Sequence, residues 1–342
     1  MVDLYTLKHI RHEYNNRPVL AIDHWQVAAD AIVGLAGPNG SGKSTLLKLL
    51  GFIEQPSRGE ILIDGSPVDP RAGNLRTRIT LLHQESYLLK RSVYGNIAYG
   101  LRVRGERRDE RRRVHQALEW VGLDPAVFAD RPWYALSGGE ARRVALAARL
   151  VLKPNVFLLD EPTTSVDAAS AQMIKDAIMR ARSQWGTTLI ISSHDLEWLN
   201  DICDHIVHLF RGRIMAGGQP TLVSGPWQSG SNGQTAKQLP DGQLILVRNV
   251  PPDMNNAVAT IDSSQMVLDS LAERLPSTYC RLRGRLVRLG IEKAADRINA
   301  TVVAGGLAFT IPIHAHRLTN IHIAPGEQVW IGYDPAAVTW LV

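Results

Sequence analysis

One short run constrains this chain more than any other: Gly37-Pro38-Asn39-Gly40-Ser41-Gly42-Lys43-Ser44-Thr45. Glycines at 37, 40 and 42 let the backbone wrap closely around an anion with its N–H groups turned inward. The run follows an apolar stretch, Ala31-Ile32-Val33-Gly34-Leu35-Ala36, and precedes Leu46, Leu47, Leu49 and Leu50. Strand, glycine loop and helix in that order make a phosphate-binding loop, and the helix N-terminus adds its dipole. Lys43 is then placed to set a cation on the β- and γ-phosphates, and the Ser44 hydroxyl to ligate Mg²⁺. Taken alone, the run says only that some nucleoside triphosphate is bound.

Two further apolar runs, Val156-Phe157-Leu158-Leu159 and Thr188-Leu189-Ile190-Ile191, read as buried strands. Strands apolar on both faces and alternating with helices predict an α/β fold with a parallel sheet covered on both sides. Ligands of such sheets lie at the carboxyl ends of the strands. The run from Val156 ends in Asp160-Glu161. Asp160 is placed to hold Mg²⁺ through water, and Glu161 to act as general base for an attacking water. A solvated strand end would be the plainer reading of that acidic pair, but the apolar run before it and the phosphate loop upstream argue against it. His194, in Ser192-Ser193-His194-Asp195, follows the third strand and reads as a γ-phosphate contact.

With Leu136-Ser137-Gly138-Gly139-Glu140 added, the chain resembles the ATPases of the ATP-binding cassette (ABC) transporter family across about residues 1–218. The resemblance implies ATP and Mg²⁺ as ligands and a homodimer closed head to tail. In that dimer Ser137, Gly138 and Gly139 of one copy contact the γ-phosphate held by Lys43 of the other. A hydroxyl and glycine N–H groups at a helix start suit that task. By the same resemblance Tyr14 stacks on adenine, Gln84 links Mg²⁺ to a membrane permease, and Asp167 lies in the loop that crosses the dimer. The family often has Gln where this chain has Arg142, and Leu-Ala-Arg-Ala-Leu where it has Leu146-Ala147-Ala148-Arg149-Leu150. Neither departure is expected to touch the residues that carry phosphate chemistry.

The 342 residues, 45% hydrophobic and 21% charged, suit one large domain and one small one. No apolar run reaches the roughly 18 residues of a membrane span. The start, Met1-Val2-Asp3-Leu4-Tyr5, lacks the pattern of a signal peptide. The expectation is a peripheral protein on the cytoplasmic face of the membrane, with the pore in a separate permease chain and an extracytoplasmic binding protein engaged indirectly. Two cysteines, Cys203 and Cys280, give no metal-ligand spacing. The net charge of +5 owes much to Arg102–Arg113, where basic and acidic residues interleave. That pattern reads as a solvated helix start rather than a nucleic-acid patch. It would also suit an anionic membrane surface nearby. Asp109 to Val121 has helical spacing, with Val114, Leu118 and Val121 on one face, and belongs to an expected helical subdomain at about 86–135.

Beyond Gly217-Gly218 the texture changes. Residues 219–276 read as a linker with a short hairpin, with no long helix until about Gln265. From Ser277 to Val342 short β runs dominate, with turns at Gly305-Gly306 and Pro325-Gly326. This tail resembles the small barrel (TOBE, related to molybdate-binding barrels) appended to many importer ATPases. With the segments around Phe210, Gly225 and Ala257, that implies uptake of an oxyanion, tungstate first and molybdate next, or of another small solute. ABC ATPases of a different class, acting on nucleic acid or ribosomes, usually carry two cassettes or a coiled-coil insertion, and this chain has neither. Related barrels carry Arg, Asn and Lys where this one has Tyr279, Cys280 and Asp334, so the tail is expected to be a dimer contact rather than an oxyanion sensor. His314, His316 and His322 read as surface histidines.

Overall fold

In the computed structural model, the run Val156-Phe157-Leu158-Leu159 shows why this sheet must be covered twice. Val156 and Leu158 join one apolar core, Phe157 and Leu159 another. Ile190 separates from Leu189 and Ile191, and Val33 and Leu35 from Ile32, in the same way. Alternate side chains of a strand leave on opposite faces, so three short apolar strands divide two cores between them. The structure describes residues 3–68, 73–215, 220–229, 235–248, 257–292, 297–314 and 323–341. The expected boundary at Gly218 and the histidines 316 and 322 lie outside these residues. The chain forms two compact units, Met1–Ile214 and Met215–Val342.

The first unit runs β1 (Asp3–Tyr14), β2 (Arg17–Ala28), β3 (Ile32–Ala36), α1 (Lys43–Leu50), β4 (Arg58–Ile63), β5 (Ser66–Pro67), α2 (Gly73–Arg78) and β6 (Ile79–Leu82). It continues with α3 (Val93–Val103), α4 (Glu110–Trp120), α5 (Pro125–Phe128), α6 (Gly138–Leu150), β7 (Val156–Asp160), α7 (Ala168–Trp185), β8 (Thr188–Ser192), α8 (Leu196–Ile202), β9 (His205–Phe210) and β10 (Arg213–Met215). A six-stranded sheet has the order β10-β9-β3-β8-β7-β6, with β3 parallel to β8 and β9, and β7 parallel to β6 and β8. This parallel pairing is the α/β architecture read from the sequence. A second, antiparallel sheet has the order β2-β1-β4-β5. Its Tyr5, Leu7, Ile10 and Ile22 pack with the leucines of α1 against one face of the parallel sheet. The other face is covered from α3, α4, α6 and α7, including Val114, Leu118 and Val121.

The second unit is built from β11 (Thr221–Ser224), β12 (Gln228–Ser229), β13 (Thr235–Gln238), β14 (Leu244–Val247), β15 (Val258–Ile261), β16 (Val267–Asp269), β17 (Cys280–Glu292), β18 (Arg297–Ala304), β19 (Leu307–His314), β20 (Gln328–Tyr333) and β21 (Thr339–Leu341). Five strands form an antiparallel sheet in the order β16-β20-β17-β18-β19. The segment expected to be a linker with a short hairpin does hold a hairpin, β13 with β14, and carries further strands besides. β15 pairs with β11 on one side and with β21, near the end of the chain, on the other. Val223, Ala259 and Ile261 are thereby buried in the same core as Leu282, Phe309 and Ile331. At Gln265 there is a 3₁₀ turn, Ser263–Gln265, and no long helix. Cys280 is buried, and the Asp334 carboxylate accepts from the Ala336 N–H, a turn contact within its own segment.

Candidate nucleotide site

The phosphate loop is shaped by what a side chain would meet. A Cβ on Gly37 (φ 150°) would lie 2.1 Å from the Leu209 carbonyl oxygen of β9, and one on Gly42 (φ 104°) 2.7 Å from Leu20 Cδ2. Only glycine fits such backbone without displacing its neighbours. Gly42 is the N-cap of α1 and offers no side-chain cap, so the first N–H groups of the helix stay available to a ligand. Lys43, 6% exposed, donates to the Gly37 carbonyl at 2.8 Å and the Pro38 carbonyl at 3.3 Å. Burial lowers its pKa, and the Glu161 and Asp160 carboxylates oppose that shift. A phosphate anion would favour the charged amine further.

At the end of β7, Asp160 accepts from the Ser192 hydroxyl at 2.6 Å, and Ser192 in turn accepts from the Glu161 N–H at 3.1 Å. Glu161 has left-handed backbone, φ 48°, and is 6% exposed. Its Oε2 accepts from Thr164 Oγ1 at 3.2 Å and lies 2.9 Å from His194 Nδ1. An ionised carboxylate only accepts, so the Nδ1–H tautomer is the one that pairs with it. The His194 side chain is otherwise open, at 66% exposure. Between these groups lies a cleft of about 440 Å³, lined by Val19, Asn39, Gly40, Gly42, Lys43, Ser44, Thr45, Gln84, Asp160, Glu161, Thr164 and His194. One cation, the N–H groups of a helix start and hard oxygen donors suit a polyphosphate and a divalent ion. The donors of Ser44, Gln84 and Asp160 are the type that Mg²⁺ takes.

Other expected residues stand elsewhere. Tyr14 is 39% exposed at the end of β1; its hydroxyl donates to Glu54, which is also bound by Lys48 at 3.1 Å. Ser137 and Gly138 are exposed. Ser137 caps α6 in a capping box: its hydroxyl accepts from the Glu140 N–H at 3.3 Å, and its own N–H donates to Glu140 Oε2 at 2.8 Å. Asp167 caps α7, accepting from the Ser170 N–H at 2.8 Å, and these hydrogen bonds hold its carboxyl below the usual range. A Cβ on Gly139 would lie 3.9 Å from Asp167 Oδ2. The Ser137–Gly139 loop and Asp167 thus form a second, exposed cluster, and none of them lines the cleft.

Three residues were missed in the sequence reading. Val19 and Thr164 line the cleft. Arg142, expected to stand apart from the phosphate chemistry, donates to the carbonyls of Gln84, Asp160 and Glu161, at 2.6, 2.9 and 2.7 Å. The available signal was an arginine placed among the apolar residues of α6.

Residues 20–164 match the family model described as "ABC transporter". The chain is 34% identical over 210 residues to the tungstate uptake system ATP-binding protein of Peptoclostridium acidaminophilum, covering 61% of this chain and 95% of that one. It is 35% identical to the methionine import ATP-binding protein of Thermobifida fusca, covering 64% and 68%. Among solved structures, cbiO1 of Clostridium perfringens, part of the ABC transporter complex cbiONQ, superposes with a TM-score of 0.56 at 29% identity, over 63% of this chain and 88% of that one. The chain belongs to the ATP-binding cassette transporter family. It is an ATP-hydrolysing enzyme of that family, and its nucleotide is ATP. The second unit lies outside the residues that the family model matches.

Proposed function

We propose that this chain is the ATPase subunit of an importer, that two copies close head to tail on ATP, and that the cargo is an oxyanion, tungstate first. The observation that carries the dimer is the separation of the two clusters. The cleft gathers the phosphate cradle, Asp160 and Glu161, while Ser137 to Gly139 present a hydroxyl and helix-start N–H groups to solvent beside Asp167. A second copy can bring its Ser137 loop to the open side of the first copy's cleft. Lys43 holds the β- and γ-phosphates, with Asn39 to Thr45 wrapped around them. Glu161 takes a proton from the attacking water, and His194 contacts the γ-phosphate. Mg²⁺, held by Ser44, Gln84 and Asp160, would offset charge on the phosphate oxygens. ATP is then part of the interface, and its hydrolysis loosens the pair. The exposed segment after Gln84 is the place for a membrane permease. Among the described residues no helix is long and apolar enough to cross a membrane, so the pore is assigned to that permease.

The cargo reading rests on the tungstate uptake relative and on the resemblance of the tail to oxyanion-importer barrels. Uptake of tungstate, molybdate and sulfate in cells with and without this chain tests it. Tungstate uptake should fall most; equal uptake of all three with and without the chain would contradict the cargo. Tyr14 carries a separate expectation. Replacing it by Ala should weaken ATP by roughly 1–3 kcal/mol, the scale of base–aromatic stacking. Titration with a fluorescent ATP analogue measures this, and unchanged affinity would assign the adenine to another residue.

A further inference from the structure

Arg142 is 3% exposed, yet among the described residues every hydrogen-bond partner of its guanidinium is neutral. Nε donates to the Pro162 carbonyl at 3.1 Å, and Nη2 to the Asp160 and Glu161 carbonyls at 2.9 and 2.7 Å. Nη1 donates to the His83 and Gln84 carbonyls at 2.5 and 2.6 Å, with Ser86 Oγ at 3.4 Å. The five N–H donors of an arginine in its fixed fork therefore grip two separate segments. One is the end of β7, with the Asp160 and Glu161 side chains. The other follows β6 and carries Gln84. Three consecutive carbonyls at 160–162 reach one guanidinium, and Glu161 between them adopts left-handed backbone. A non-glycine residue rarely holds that conformation unless its surroundings impose it. Burial pushes the Arg142 pKa down to about 10, with Asp160 opposing the shift, which still leaves a cation at neutral pH.

Arg142 lies five residues along α6 from Ser137, about 7.5 Å at 1.5 Å per residue. The capping box fixes the first turn of that helix, and Val144 to Leu150 pack its other turns into the core. Ser137 and Arg142 are therefore carried by one rigid body. We propose that Arg142 is a positioning residue that ties the exposed Ser137–Gly139 loop of its own copy to the backbone carrying Glu161 and Gln84, so that engagement of Ser137 by a second copy's ATP aligns these groups for hydrolysis. This rests on the head-to-tail reading above. Glutamine, the residue the family often has here, offers two donors in place of five and leaves buried carbonyls unpaired.

The experiment compares Arg142→Gln and Arg142→Lys, each alone and in a Glu161→Gln background. With Arg142→Gln, kcat should fall tenfold or more while the KM for ATP stays within threefold. Arg142→Lys, which keeps the cation, should recover part of the loss. In the Glu161→Gln background, Arg142→Gln should still form an ATP-dependent dimer. A kcat within threefold of the parent, or a parallel loss of kcat, ATP binding and thermal stability, would overturn the role. If Arg142→Gln does not fold, the same kcat-against-KM split in Arg142→Lys decides, and its absence overturns the role equally. Failure of Glu161→Gln alone to dimerise would count against the head-to-tail reading itself, whatever the Arg142 variants do.

Discussion

Glu161→Gln should lower the ATP turnover number at least about a hundredfold, within the range for loss of a general base. The substituted amide keeps an oxygen that can accept from Thr164 Oγ1, so the geometry at the end of β7 survives. It has no basic site for the proton of the attacking water. The groups that cradle phosphate belong to other residues, Lys43 and the loop around it, so ATP affinity should stay within about threefold. Steady-state hydrolysis with a coupled assay, and binding by fluorescent titration, separate the two effects. Turnover within about tenfold of the parent would show that Glu161 is not the base.

Ser137→Arg should abolish ATP-driven dimerisation while leaving nucleotide binding by the single chain nearly unchanged. The residue is exposed at the start of α6 and does not line its own copy's cleft, so an arginine can be accommodated in a free copy. The side chain has a second task, because its hydroxyl caps the helix. Losing a cap costs typically about 1 kcal/mol. Ser137→Ala is therefore the control: it loses the cap without adding bulk, and should show the stability loss with only weakened dimerisation. A Ser137→Arg chain that dimerises on ATP like the parent would sink the in-trans role.

The phosphate cradle was legible because glycine is the only residue whose backbone suits it, and Gly37 and Gly42 do meet backbone or side-chain atoms where a Cβ would stand. β3, β7 and β8 were legible because a strand buried on both faces leaves an uninterrupted apolar run. The contacts of Arg142 were not, since all its partners but the Ser86 hydroxyl are backbone carbonyls, 18 to 59 residues away, and carbonyls carry no sequence signal. Thr164 was missed because a threonine three residues past the acidic pair looks like any turn residue; only the folded loop brings its hydroxyl to Glu161. The segment read as a linker misled for a related reason. Its Gly, Pro and Ser content is that of a turn-rich connector, but β15 finds its second partner in β21, about eighty residues downstream, and no local pattern announces such a pairing.

The central claim is that ATP itself joins two copies through the Ser137 loop of one and the phosphate loop of the other. Light scattering on the 342-residue Glu161→Gln chain, with ATP, with ADP and without nucleotide, tests it most directly. The account predicts twice the chain's mass with ATP and the single-chain mass in the other two conditions. A single-chain mass with ATP bound, or a double mass that does not depend on ATP, would contradict it.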